Sequence, residues 1–233
     1  MKLFVLKLSI VLFASIGFSF LLPPDKKHAT FQAIKMLSYS DEILISSGFT
    51  GIATLFEAPP NEFLNPYKGT QDGIVKLNSK SLFYNPTINM YLDSTNREGL
   101  DSVNWKLNNS VNFTNISYTT VKPIPTFTNI GCIPTILRKS NDYILTFGNI
   151  PNVDKIEFTI DNGQLFTNIP FYRVVPANIN CLTIPKNHLT CLNINNPTYV
   201  KVSFINQEEV YFGNKKFIFE NILRVTKQVT IVN

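Results

Sequence analysis

From residue 42 to the end, the chain is a close succession of short segments in which apolar and polar residues alternate. Val103, Trp105 and Leu107 alternate with Ser102, Asn104 and Lys106. Val200, Val202 and Phe204 alternate with Lys201 and Ser203, and in VDKIEFTI the apolar residues Ile156, Phe158 and Ile160 share one side. A period of two is the signature of strands with one buried face, and hardly any stretch carries the spacing of a long helix. The composition agrees. Phe numbers 19 against 3 Met, Asn and Thr are abundant and Ala is scarce. Aromatic and β-branched residues favour strands, and Asn favours turns. About a dozen short strands at such spacing predict an all-β protein of antiparallel β-sandwich architecture. Two immunoglobulin-like domains fit this pattern, and one larger sandwich is the alternative.

The N-terminus sets the organisation. MKLFVLKLSIVLFASIGFSFLLPPDKK places Lys2 and Lys7 before an uncharged run, with Gly17 and Ser19 ahead of Phe20, the layout of a secretory signal peptide over residues 1–19. An uncleaved anchor is the other reading, since Leu8–Pro24 approaches the roughly 17–25 residues that span a bilayer. Residues 20–41 form an N-terminal lead-in segment, of which 25–41 are polar with weak periodicity and read as a lead-in or a short helix. A first sandwich domain is expected over 42–128 and an Ig-like second over 129–233, with the proline-rich stretch near 122–134 as boundary. Within the first, EILIS (42–46) and GIATLFEA (51–58) read as strands, 58–73 as a long loop, and 73–85 as a hairpin about Asn78-Ser79-Lys80. In the second, DNG at 161–163 signals a turn, PKNHLTCLN (185–193) a short helix, and Glu208-Glu209 a loop. FGNKKFIFENILRVTKQVTI, residues 212–231, reads as two closing strands, with Phe217 and Phe219 opposite Ile218. Lys215 and Lys216 then serve as edge charges that discourage pairing.

The formal net charge is +5, and Lys2 and Lys7 would leave with a signal peptide. The remaining lysines are scattered, which argues for solvation rather than a nucleic-acid surface. Of three cysteines, Cys181 and Cys191 flank LTIPKNHLT, and a disulfide between them is permitted in an oxidising compartment. Cys132 is then left over, and three small buried thiols are the competing reading.

Several lines of the sequence resemble a loosely defined group of exported, often lipid-anchored and uncharacterised proteins of Bacteroidota. Gly73, Val75, Leu77, Asn78 and Leu82 match one; Val103, Trp105 and Leu107 match a second. Lys215, Lys216, Phe217, Phe219, Asn221, Lys227, Val229 and Ile231 match a third. Asn109 and Asn214 stand where glycine is usual, and the lipid-attachment Cys of many members is missing. The resemblance covers roughly 70–233 and implies an exported β protein without a known activity.

Chemistry is sparse. There is no G-x-S-x-G, and His188 is the one His in the body of the chain, so a serine or cysteine triad lacks its parts. Asp154, Glu157 and Asp161 read as solvated strand and turn residues rather than a glycosidase pair. Neither a calcium loop nor a phosphate-binding glycine loop is present, and no metal or other cofactor is expected. Asn108, Asn112 and Asn115 head sequons and mark 108–117 as surface loop. Trp105, Tyr84, Tyr91 and Tyr118 are candidates for an aromatic platform that stacks on sugar rings, against a core role for Trp105. The expectation is therefore a non-enzymatic, exported protein of the cell surface, structural, adhesive or partner-binding, with envelope proteins or glycans as partners. A carbohydrate-binding module is the alternative. Membrane contact is expected only if the N-terminal segment stays uncleaved.

Overall fold

The structure, a computed structural model, describes residues 28–56, 69–93, 102–147, 153–161, 171–179, 181–213 and 215–233. The signal segment 1–19, most of the loop at 58–73 and two residues of the DNG turn lie outside the described residues. In the first half of the chain the strands are β1 (His28–Ser40), β2 (Ile43–Phe56), β3 (Ile74–Leu77), β4 (Lys80–Ser81), β5 (Phe83–Asn85), β6 (Met90–Leu92), β7 (Asn104–Asn108) and β8 (Ile116–Thr119). The second half adds β9 (Ile136–Arg138), β10 (Tyr143–Thr146), β11 (Lys155–Asp161), β12 (Phe171–Pro176), β13 (Cys181–Ile184), β14 (Thr198–Phe212) and β15 (Lys215–Val232). Among the described residues the helical elements are two 3-10 turns, Ile130–Cys132 and Lys186–His188, the second inside the stretch expected to turn helically. The protein is all-β, with antiparallel sheets packed in a sandwich-like arrangement.

One large sheet runs β12-β11-β14-β15-β1-β2-β6-β5, with β9 joined to the end of β15. A four-stranded sheet (β4-β3-β7-β8) and a two-stranded one (β10-β13) complete the fold. The β3–β4 connection is a two-residue turn with positive φ at both Asn78 (45°) and Ser79 (71°), the backbone that tight hairpins require.

Three sequence expectations change here. Residues 28–40, read as a lead-in within 20–41, form β1, an interior strand parallel to β15 and antiparallel to β2. Its Ala29, Phe31 and Ala33 are buried on one side and Ile34 on the other. A strand covered on both faces loses the alternation by which strands are recognised. Likewise, the closing stretch is not two strands. Lys215–Val232 is one strand of 18 residues, and β14 extends through Glu208-Glu209, the expected loop. Neither run contains Gly or Pro.

Long strands explain the layering. On β15 the odd positions face one way: Phe217 and Phe219, then Asn221, then Leu223, Val225, Val229 and Ile231. The first pair joins a core with Phe31, Phe49, Val75, Leu77, Trp105 and Leu107, beneath the four-stranded sheet. The later four join a core with Phe158, Ile160, Leu145, Leu182, Val202 and Phe204, beneath β10-β13. The large sheet is thus common to two lobes, with strands from both halves of the chain. The expected boundary at 128/129 separates the two small sheets but does not divide the large one.

Between the lobes the connector after β8 is tied to the same sheet face. Asn221 Nδ2 donates to Thr120 Oγ1 (2.7 Å) and to the Lys122 carbonyl (2.6 Å). Asn206 Nδ2, opposite it on β14, donates to the Pro123 carbonyl (2.6 Å). Glu208 accepts from the Tyr118 hydroxyl (2.6 Å) and from the amides of Val121 (3.1 Å) and Lys122 (2.7 Å). Lys122 Nζ reaches Asp154 at 2.6 Å.

Candidate functional site

The aromatic residues considered as a sugar platform are employed elsewhere. Trp105 is fully buried and packs 5.2 Å from Phe31, which stacks 5.2 Å from Phe219. Gly51 on β2 lets it approach: a Cβ there would stand 2.5 Å from Leu77 Cδ2 and 3.1 Å from the Trp105 ring. Tyr91 is buried, its hydroxyl donating to the Gly73 carbonyl (3.1 Å) and accepting from the Asp72 amide (2.8 Å). Tyr84 lies edge-on to Tyr91 with its hydroxyl 3.0 Å from Asn89 Oδ1. Tyr118 stacks 4.4 Å from Phe219, and burial, then the Glu208 carboxylate, push its phenol up to about 12. No flat exposed array results, because Trp105 and Tyr91 are buried in the core around Phe31, Tyr84 and Tyr118 pack against that core, and each tyrosine hydroxyl closes a hydrogen bond inside the fold.

The cysteines are all free. Cys181 and Cys191 are exposed and the disulfide permitted between them is not formed; the Cys191 thiol donates instead to the His188 carbonyl at 3.3 Å. The His188 ring packs edge-on against Phe171 of the second core, with ring centroids 4.9 Å apart. Burial pushes the Cys132 thiol up to about 11, only partly opposed by Lys227, leaving it a poor nucleophile.

A feature that sequence reasoning missed lies on the other face of the large sheet. Strand register sets Glu157, Ser203 and Arg224 side by side across β11, β14 and β15. One step along lie Thr159 and Lys201; beyond Ile205 and Ile222 lie Gln207, Glu220 and Gln32. Glu157, Lys201, Glu220 and Arg224 are each at most 5% exposed. Glu157 and Asp161, read as solvated, are therefore in the interior, whereas Asp154 is exposed as expected. Lys201 Nζ meets Asp161 Oδ2 at 2.5 Å. Glu220 accepts from Lys155 Nζ (2.9 Å) and Gln32 Nε2 (2.7 Å), and Arg224 Nε donates to Ser203 Oγ (3.1 Å). Burial lowers the Lys201 and Arg224 pKa values; Asp161 opposes this for the lysine, and Glu157 and Glu220 for the arginine. Burial, then the same two glutamates, raises Tyr172.

Three cations and three carboxylates thus balance one another, which is what makes their burial tolerable. Their sequence signal was present but unreadable in single strands: alternate charged residues on β11, β14 and β15 look like a wet face until register stacks them. Among the described residues no group of three or more His, Cys, Asp or Glu could hold a metal ion.

The open feature of the surface is the free end of the β1–β2 hairpin. Ile43, Leu44 and Ile45 are 71%, 48% and 62% exposed. They are consecutive, so both faces of the strand are bare, and the register slips between Ser38 and Tyr39, placing Ile45 in a bulge. β6 pairs with β2 only at Ile52 and Ala53, so among the described strands none flanks Ile43–Ser46 on the outer side. Other exposed apolar side chains, such as Ile144 and Val111, stand apart from this run in sequence.

No protein-family model, curated protein or solved structure matches the chain.

Proposed function

We propose that the chain is an exported, non-enzymatic β-sandwich protein of the cell surface that binds a partner protein through the free end of the β1–β2 hairpin. The observation that carries this reading is the consecutive exposure of Ile43, Leu44 and Ile45. Single exposed apolar residues are ordinary, but a bare apolar run at the end of a projecting hairpin is a recurrent mark of an interaction surface. The secretory layout of residues 1–19 and the resemblance to exported Bacteroidota proteins support the location. The charge network adds no chemistry to this reading, since its groups are directed at one another. The carbohydrate-binding alternative loses its support with the burial of Trp105 and Tyr91.

A photocrosslinking residue placed at Leu44 of the full-length chain in its native cells provides the test, with Val111, also exposed, as control position. The expected result is one discrete envelope-protein adduct from position 44, lost with Ile43→Asp and absent from position 111. No adduct, or the same adducts from both positions, would overturn the proposal. Fractionation of the same cells tests the location separately.

A further inference from the structure

We draw no further inference here: the strongest candidate, the bare apolar end of the β1–β2 hairpin at Ile43, Leu44 and Ile45, carries nothing beyond the reading already proposed because nothing in the structure shows what covers it.

Discussion

Asp72 shows how one side chain organises a loop that looks merely hydrophilic in the sequence. Its carboxylate accepts from Ser110 Oγ (2.7 Å) and from the amides of Val111 (2.8 Å) and Asn112 (2.9 Å), fixing the segment that bears the sequons. Burial acts to raise its pKa, and these hydrogen bonds outweigh it, so the folded value falls below the ordinary 3.8. A depressed carboxylate stabilises the fold above its unfolded-state pKa, and that stability disappears as pH falls through the folded value. Asp72→Asn is expected to cost about 1–3 kcal/mol at neutral pH. Denaturant titrations at pH 7 and pH 3 check this: the gap between wild type and variant should shrink at the lower pH. Trp105 belongs at the same scale. As the one tryptophan of the chain, buried at 0% exposure, it reports its own core. Trp105→Ala is expected to cost roughly 3–5 kcal/mol. Gly51→Val, which pushes Leu77 and Trp105 off β2, should destabilise in the same assay and red-shift the native emission.

At the scale of elements, legibility followed how much of an element's character is local. The β3–β4 hairpin was visible because Asn78-Ser79 is a local signal between alternating residues, and Trp105 sat on the apolar side of a clean alternation. β1 was not. Its Phe31 and Ile34 face opposite cores and its alanines carry little apolar signal, so the period of two is erased. The hidden part of the interior, Glu157, Lys201, Glu220 and Arg224, depends on register between strands tens of residues apart, which no local pattern encodes. Their network makes a sharp expectation. Lys201→Met leaves Asp161 buried without its cation and should cost roughly 3–5 kcal/mol. Adding Asp161→Leu should recover much of that loss, measured as coupling in a double-mutant cycle. Additive losses would show that the 2.5 Å pair is not energetically linked. The connector is a second such element. Asn221→Ala removes both donations to Thr120 and Lys122, with an expected loss of about 1–3 kcal/mol by denaturation.

For the whole molecule, the central claim is that one sheet serves both lobes. β14 and β15 each run from the core around Phe31 and Trp105 to the core around Phe158 and Phe204, and Asn206 and Asn221 tie the connector to the sheet midway. Two sandwich domains joined by a linker, the organisation expected from the sequence, would unfold separately; lobes that divide the same continuous strands should not. The decisive measurement is equilibrium unfolding of Phe158→Ala, followed both by Trp105 fluorescence and by far-UV circular dichroism. Phe158 lies in the lobe that does not contain Trp105. A shared sheet requires both probes to move together to a lower midpoint in a single transition. A Trp105 transition that stays at the wild-type midpoint while circular dichroism splits into two steps would contradict it.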